Sequence, residues 1–268
     1  MTFLELKNCE FGLTHAGTFH SDDVFCVAFL KMINPDIKIV RSYVVPEDFK
    51  GIVFDVGFGE FDHHQADNEC REDGVPYASF GKLWKAFAPS LYSEEVVAGI
   101  DKNFIESLDN SDNTGRENAV AFAISTFNPL WDSDSNGDKE FERAVEWASV
   151  LLENVIKTEL KRVEMQTELL DIYKKTLNKK ILVLDRFMPF KKALWNTEAV
   201  FVIYPSKRGG YQVQGVPINA DTVELKKAFP KEWCEKPPKG VTFCHNSRFL
   251  ISVEDKETAI RLCEELLW

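Results

Sequence analysis

Short apolar runs alternate with a helical segment at the start of this 268-residue chain, and this alternation is the strongest constraint on its fold. Strands are predicted at 11–14, 37–41 and 52–54, and a helix that opens on two aspartates is predicted at 22–33. A strand, helix, strand order favours a parallel sheet with right-handed crossovers. We therefore expect an α/β fold for the first half of the chain.

The rest of the chain divides into a helical middle and a strand-rich end. Apolar spacings of three and four predict helices at 77–87 and 94–108, and a stretch without Gly or Pro predicts one or two long helices over 138–177. Polar composition predicts a loop at 66–74 and a linker at 128–137. Five short strands and a closing helix then predict a smaller α/β lobe, at 181–184, 199–204, 211–216, 241–244, 249–253 and 256–267.

Composition limits the classes of partner. The formal net charge of -11 and the pI near 5.1 favour solubility and argue against a broad basic surface for duplex DNA or RNA. Six scattered cysteines without a C-x-x-C pair are typical of reduced thiols in a cytosolic protein. No run approaches the ~18 apolar residues of a membrane span, and the N-terminus does not resemble a signal peptide. We expect a soluble, cytoplasmic protein with no membrane partner.

Histidine is concentrated near the N-terminus. Four of the five histidines fall within the first 64 residues, in the runs HAGTFHSDD (15–23) and FDHHQ (61–65). A lone histidine is more often a core or surface residue than a ligand, but here apolar runs lead directly into His15 and into Asp55. Both would emerge at strand ends, which in open α/β sheets converge on the ligand crevice.

Imidazole and carboxylate without thiolate suit Mn²⁺, Zn²⁺ or Fe²⁺, and a site richer in oxygen suits Mg²⁺. No H-E-x-x-H sequence is present, which argues against a zincin peptidase. Five to seven potential ligands exceed the needs of one tetrahedral ion, so two metals about 3.5–4 Å apart, bridged by a carboxylate, are predicted. Such a pair activates water and holds the oxygens of a phosphoryl group.

These motifs carry a family resemblance. An Asp-bearing strand before Asp62-His63-His64, together with an N-terminal His/Asp motif, resembles the DHH phosphoesterase superfamily. More specifically, six short segments spread over most of the chain resemble the melanocyte-proliferating-gene-one (Myg) family, at 14–23, 54–57, 60–65, 77–81, 216–217 and 240–245.

The resemblance implies two lobes with the site in the cleft between them: a DHH-like metal-binding catalytic domain with a mostly parallel sheet at 1–130, and a smaller α/β substrate-binding domain at 181–268. The residues between the lobes, 131–180, are predicted as a linker with long helices. It also implies a metal-dependent phosphodiesterase, specifically a 3′-to-5′ exoribonuclease that acts on single-stranded RNA or short oligoribonucleotides through activated water. The alternatives are a hydrolase of a small nucleotide or phosphoanhydride, and a non-catalytic protein that binds metal or nucleotide. A homodimer formed through the long helices is a further hypothesis.

The resemblance also implies roles for individual residues. His15 and His20 would bind one metal, Asp22 and His63 the other, and Asp55 would bridge them. His64 would face the substrate phosphate as a hydrogen-bond donor or general acid, oriented by Asp62. His20 stands where the superfamily motif His-x-x-x-Asp-x-Asp has an aspartate. That change softens the site and favours Mn²⁺, with Mg²⁺ or Zn²⁺ as alternatives.

Three further aspartates compete for roles near the metals. Asp109 and Asp112 both suit the superfamily's fourth motif; Asp112 is the first choice, and the alternative for Asp109 is a capping or orienting role. The surrounding segment, 109–115, is predicted to end a helix in a polar turn. Asp23 at the start of a helix is expected to interact with the helix dipole, with metal contact as the alternative.

Four basic residues are candidates for substrate binding in the C-terminal region. His245 and Arg248 stand between two predicted strands, where superfamily members bind a phosphate or terminal nucleotide, and Arg248 can contact a phosphate through two N–H groups. Lys207 and Arg208 form a second pair in a predicted hairpin turn. The alternative for both pairs is an ordinary solvated turn.

Overall fold

The structure is a computed structural model that describes residues 1–66, 69–133, 137–220 and 222–268. Positions 67–68 of the predicted loop and 134–136 of the predicted linker therefore lie outside the described residues. The chain forms two compact units, Met1–Leu160 and Lys161–Trp268. This division falls inside the segment predicted as linker and long helices, and the three domain limits remain predictions.

The first unit is built on a parallel sheet, as predicted. Its strands are β1 (Phe11–Thr14), β2 (Lys38–Arg41) and β3 (Ile52–Val53), in the order β2-β1-β3. Leu13 of β1 lies opposite Val53 of β3. His15 and Asp55 each follow two residues later, so they leave adjacent strands at the same edge of the sheet.

Helix α2 (Ser21–Ile33) supplies much of the core of this unit. It packs against α3 (Ser79–Phe87), where the ring of Phe25 stacks on Phe80 with centroids 5.4 Å apart. Burial begins in the first turn of α2, so that Asp22 and Asp23 have no exposed surface. A helix whose polar N-terminus is buried brings its carboxylates into the interior of the unit.

The shorter helices of this unit depart from the sequence prediction. The expected helix at 94–108 is interrupted by a π-helical turn, Asp101–Ile105. The segment 109–115, predicted as a turn, instead continues a helix to Thr114, and Gly115 ends it with a φ of 70°. Tertiary contacts of the buried Asp109 override its low helix propensity. The bounds are α1 (Phe3–Lys7), α4 (Glu94–Ile100), α5 (Glu106–Thr114) and α6 (Ala119–Ser125).

A single long helix, α7 (Gly137–Lys175), occupies the segment predicted to contain one or two helices. It contributes residues to both units. In the part of the chain that the structure describes, no helix has both the length and the apolar character that crossing a membrane would require.

The second unit is a mixed α/β structure, as predicted. Its strands are β4 (Ile181–Val183), β5 (Phe201–Pro205), β6 (Tyr211–Gly215), β7 (Val241–Cys244) and β8 (Leu250–Val253). They form one sheet in the order β4-β5-β6-β8-β7, in which β4 and β5 are parallel and the other neighbours antiparallel. Along β5, Phe201 and Ile203 belong to one apolar cluster and Val202 and Tyr204 to another, because side chains alternate between the faces of a strand. The helices of this unit include α8 (Lys191–Leu194) and α9 (Lys256–Leu267).

Candidate metal centre

Asp55 presents its two carboxylate oxygens to two different imidazoles. Its Oδ2 lies 3.2 Å from His15 Nε2, and its Oδ1 lies 3.2 Å from His63 Nε2. The backbone of Asp55 has a φ of 56°, a left-handed conformation that aspartate tolerates better than most residues. Its N–H donates to the carbonyl of Phe61 at 3.2 Å, which draws the His63 loop towards the strand end.

Two further carboxylates approach the same nitrogen of His63. Its Nε2 lies 3.1 Å from Asp112 Oδ2 and 3.6 Å from Asp22 Oδ2. Asp22 is completely buried, yet neither of its carboxylate oxygens has a hydrogen-bond partner among the described residues. Burial, reinforced by the charges of Asp55 and Asp112, raises the pKa of Asp22 well above its ordinary value. A buried carboxylate without partners is costly unless a cation balances it, so these residues fit a divalent metal.

A second group of potential ligands shares Asp55. Oxygen and nitrogen atoms of His15, Asp23 and Asp55 all lie within 4.8 Å of one another. Asp23 places Oδ2 3.2 Å from His15 Nε2, while its Oδ1 accepts the backbone N–H of His20 at 3.0 Å. The structure therefore brings Asp23 into the cluster, in addition to its interaction with the start of α2. The signal for this in the sequence was a pair of aspartates at a helix start surrounded by apolar residues.

The titration behaviour of the cluster reflects an excess of negative charge. Burial opposes protonation of His15, but the carboxylates of Asp23 and Asp55 outweigh it and raise its pKa to about 11. Asp55 shows the reverse: burial disfavours its charge, but His15 and His63 hold its pKa below the ordinary value. Metal ligation requires neutral imidazole and ionised carboxylate. A divalent cation would thus supply the positive charge that protons otherwise provide.

His20 occupies a more exposed position, with 59% of its side chain accessible. Its Nδ1 lies 4.0 Å from Asp112 Oδ1, and atoms of His20, Asp22 and Asp112 fall within 4.8 Å of one another. The resemblance placed His20 with His15 instead, and the rings of these two residues are 5.8 Å apart. Its assignment to either metal remains a prediction.

His64 is oriented by Asp62. The Nδ1 of His64 lies 2.7 Å from Asp62 Oδ1, and Asp62 Oδ2 accepts the backbone N–H of Phe58 at 2.7 Å. Burial disfavours the charge of Asp62, but these hydrogen bonds lower its pKa below the ordinary value. A carboxylate acceptor places the proton of neutral His64 on Nδ1 and leaves Nε2 for other interactions.

The two aspartates that competed for the fourth motif have different surroundings. Asp112 contacts His63, whereas Asp109 Oδ2 lies 2.7 Å from Arg71 Nη2 and its Oδ1 accepts the N–H of Gly81 at 3.3 Å. Burial raises the pKa of Asp109 to about 7 in spite of Arg71. The geometry favours Asp112 as a metal ligand and an orienting role for Asp109.

Sequence reasoning did not single out three residues that support the cluster. Asn113 Oδ1 lies 3.1 Å from His63 Nδ1, and the hydroxyl of Ser79 donates to Asp55 Oδ1 at 3.2 Å. Arg71, in the predicted polar loop, anchors Asp109 and also donates twice to Asp101. The available signals were weak: Asn113 follows Asp112, and Ser79 lies within the Myg-like segment 77–81.

The four C-terminal candidates belong to the Lys161–Trp268 unit. His245 accepts the N–H of Ser247 at Nδ1, and its ring centroid lies 4.5 Å from that of Phe249. Arg248 is exposed and adopts a φ of 56° in the turn between β7 and β8. Lys207 and Arg208 are exposed in the turn between β5 and β6. Roles for these residues in substrate binding remain predictions.

A cleft of about 1020 Å³ lies beside the cluster, within the first unit. This is at the upper end of the usual size of ligand pockets, ~300–1,000 Å³. Histidines and carboxylates of the cluster form one part of its lining, and the segment that includes α6 forms another. The lining residues are Phe19, His20, Ser21, His63, His64, Ser111, Asp112, Asn113, Gly115, Arg116, Glu117, Asn118, Ala119, Ala121, Phe122 and Ser125.

Comparison of the sequence with known families decides the assignment. Residues 13–267 match the model MYG1_exonuc, an uncharacterised protein family (UPF0160). The chain belongs to the MYG1 family. This confirms the Myg resemblance, and together with the His/Asp cluster it identifies the chain as a divalent-metal-dependent hydrolase of an exonuclease family.

Members of the MYG1 family from distant organisms align along most of their length. A MYG1 protein of Saccharomyces cerevisiae is 25% identical over 321 residues, covering 94% of both chains. A MYG1 protein of Chlamydia muridarum is 26% identical over 291 residues, covering 95% of this chain and 94% of the relative. The MYG1 exonuclease of Mus musculus is 25% identical over 335 residues, covering 95% of this chain and 84% of the relative.

A comparison of structures finds RecJ of Thermus thermophilus, solved in complex with Mg²⁺. The TM-score is 0.32 and the sequence identity 10%, over 99% of this chain and 50% of RecJ. The chain thus spans half the length of that protein.

Proposed function

We propose that this MYG1 family member is a 3′-to-5′ exoribonuclease that shortens single-stranded RNA or short oligoribonucleotides with the help of two divalent ions. The observation that carries the proposal is Asp55, whose two oxygens face His15 and His63 separately. A carboxylate in this position is suited to bridge a metal pair. The name of the mouse relative, MYG1 exonuclease, supports the nuclease activity, and the Myg resemblance is the reason for proposing RNA and the 3′ end.

The donor set supports two adjacent metals. His15, Asp23 and Asp55 would hold one ion. His63 and the three carboxylates nearest to its Nε2, those of Asp22, Asp55 and Asp112, would hold the other. Imidazole and carboxylate without thiolate favour Mn²⁺, with Mg²⁺ and Zn²⁺ as alternatives. When bound, such a pair activates a water molecule and neutralises charge on the phosphoryl oxygens.

His64 is proposed as the general acid. Its ring lines the cleft, and because Nδ1 donates to Asp62, Nε2 is directed away from that carboxylate. In the protonated ring, Nε2 would give its proton to O3′ of the departing strand as the bond between phosphorus and O3′ breaks. The Asp62 carboxylate would stabilise the protonated ring, as the carboxylate does in catalytic triads. Proton transfer of this kind contributes about 10²–10⁴-fold to rate.

The charge of the chain is better suited to a strand end than to a long duplex. A net charge of -11 disfavours extended contact with phosphates, whereas one end can enter a cleft where metals supply local attraction.

A cytoplasmic location and a homodimer formed through α7 belong to the same proposal. Sedimentation as a monomer at micromolar concentration would contradict the dimer.

The proposal is tested with oligoribonucleotides, from dinucleotides to strands of roughly 16 nucleotides, the upper site size of one single-strand-binding fold. Strands labelled at the 5′ end are incubated with Mn²⁺, Mg²⁺ or Zn²⁺, beside DNA strands of the same sequence. We expect a ladder shortened one nucleotide at a time from the 3′ end, and no ladder with the His63→Ala/His64→Ala variant. Shortening from the 5′ end, or equal cleavage of DNA, would contradict the proposed direction or substrate.

A second candidate is hydrolysis of a small nucleotide or phosphoanhydride, which the cleft beside the His/Asp cluster is large enough to hold. Release of phosphate from pyrophosphate, or of nucleoside monophosphates from dinucleotides only, would support it. If the protein is an exoribonuclease, kcat/KM should be higher for a longer strand than for a dinucleotide. If it hydrolyses small nucleotides or phosphoanhydrides, a longer strand should bring no increase in kcat/KM.

A further inference from the structure

Helix α6 displays an aromatic ring on its solvent side. Phe122 is 72% exposed, whereas Ile124, two residues later and on the opposite side of the helix, is completely buried. Packing of α6 against the rest of the unit therefore explains why position 124 is apolar, but it does not explain the aromatic side chain of Phe122. Phe122 lines the same cleft as His64 and Asp112. An exposed aromatic ring beside the His/Asp cluster is suited to stack on a nucleobase.

Arg116 lines the same cleft and offers a guanidinium there. Its side chain is exposed and forms no hydrogen bond or ion pair with any residue that the structure describes. The carboxylates of Asp112 and Glu117 also line the cleft. Arg116 therefore supplies a local positive charge beside acidic side chains, in a chain whose net charge is -11. A guanidinium can donate two parallel N–H groups to one phosphate.

The link between α5 and α6 is held at both ends. At Gly115, a φ of 70° ends α5, a conformation that favours glycine. The side-chain oxygen of Asn118 accepts the N–H groups of Val120 and Ala121 and thereby caps α6, while its Nδ2 donates to Ser107. The positions of Arg116 and Phe122 are thus tied to that of Asp112, a candidate metal ligand at the end of α5.

We propose that Arg116 and Phe122 form the subsite for the terminal nucleotide of a single strand. Phe122 stacks on the base, and Arg116 binds a phosphate of the same strand end. The inference rests on the proposed nuclease function and specifies its substrate: a strand that carries a base at its end, with little preference among bases, because every base has a face on which to stack.

The test compares Phe122→Ala with wild type on two short oligoribonucleotides, one with a normal 3′-terminal nucleotide and one with an abasic 3′ terminus. Loss of stacking should raise KM for the normal strand about 5- to 150-fold, with kcat little changed. For the abasic strand, the KM of Phe122→Ala should equal that of the wild type. Phe122→Tyr, which keeps an aromatic ring, should have the wild-type KM for the normal strand. Trp131→Ala, which removes another exposed aromatic ring outside the cleft lining, is the matched control.

The proposed contact between Arg116 and a phosphate is tested separately, by the salt dependence of KM. For Arg116→Ala, the slope of log KM against log salt concentration should fall by about 0.7, the value expected for one lost contact to a single strand. Arg261→Ala, which removes an exposed arginine of the second unit, should leave the slope unchanged.

Binding measured by fluorescence anisotropy of the labelled strand gives the same comparisons without turnover. If the wild type cleaves nothing, the proposed function fails, yet anisotropy still tests the subsite. If the wild type cleaves and binds, but Phe122→Ala affects normal and abasic strands equally or not at all, the subsite is wrong and the nuclease proposal stands.

Discussion

Asn113 fixes the orientation of His63. Its Oδ1 lies 3.1 Å from His63 Nδ1, and its Nδ2 donates to the carbonyl of Asp109 at 2.9 Å. Because the amide nitrogen is engaged by a carbonyl, the amide oxygen must face the imidazole and accept its Nδ1–H. In the neutral form that metal ligation requires, His63 therefore carries its proton on Nδ1 and directs an unprotonated Nε2 towards Asp55 and Asp112.

We expect Asn113→Ala to weaken metal binding about 10- to 100-fold, the usual effect of removing a group that orients a ligating histidine. Activity should return when excess Mn²⁺ is added, because the ligands themselves remain. Metal titration followed by calorimetry measures the change. Asn110→Ala, on the same helix, is the control, since the Asn110 side chain accepts from Thr114 instead. Equal affinity in both variants would argue against the orienting role.

Asp112 and Asp109 should respond differently to mutation. Asp112→Asn removes a proposed ligand, so bound metal and activity should fall while the unfolding transition changes little. Asp109→Ala leaves Arg71 short of one buried partner, and breaking such a pair costs about 3–5 kcal/mol. Its free energy of unfolding should therefore fall, with metal stoichiometry retained at low temperature. Denaturant titration and metal analysis of both variants separate the two roles, and the reverse pattern would exchange the assignments.

The strand-end part of the site was predictable because it depends on local pattern. Apolar runs before His15 and Asp55, together with the parallel order of the strands, predict that both emerge at one edge, and the register places them side by side. Arg71 gave no such signal. It stands in a polar stretch that predicts a solvated loop, yet its partners Asp101 and Asp109 are 30 and 38 residues away in sequence.

The same long-range contacts explain the error at 109–115. Polar residues in that segment predict a turn, because their side chains usually compete with the helical backbone. Here Asp109 instead pairs with Arg71 and Gly81, so the helix continues to Thr114. Which helix residue finds a buried partner depends on the assembled fold, and periodicity within one segment does not contain that information.

Metal binding should release protons. In the metal-free protein the pKa of His15 is about 11, so His15 is protonated at about pH 7.5, whereas ligation needs its neutral form. Affinity should therefore fall as pH is lowered, by about tenfold per pH unit for one released proton. Calorimetry in buffers of different ionisation enthalpy counts the protons. A binding enthalpy independent of the buffer would show that His15 does not exchange a proton on binding.

Gly81 is tightly enclosed by the network around Asp109. A Cβ added at this position would overlap Asp109 Oδ2 and lie 2.9 Å from Tyr77 Cδ1. We expect Gly81→Ala to lower the free energy of unfolding by about 1–3 kcal/mol, as overpacking usually does. Gly59→Ala is the control, because a Cβ there would meet no atom of the described residues within 4 Å. Similar urea midpoints for the two variants would show that the network rearranges without cost.

His64→Gln separates proton donation from metal binding. The His64 side chain is about half exposed, and its Nδ1 lies 2.7 Å from Asp62 Oδ1 but 3.9 Å from Asp55 Oδ1, which faces His63. Glutamine can still donate a hydrogen bond but cannot give up a proton, so kcat should fall about 10²–10⁴-fold while KM and bound metal change little. The loss should be smallest for a substrate whose leaving group needs no proton, such as a 4-nitrophenyl ester of a nucleotide. An equal loss for both substrates would mean that His64 acts on the metal or on binding, and not as the acid.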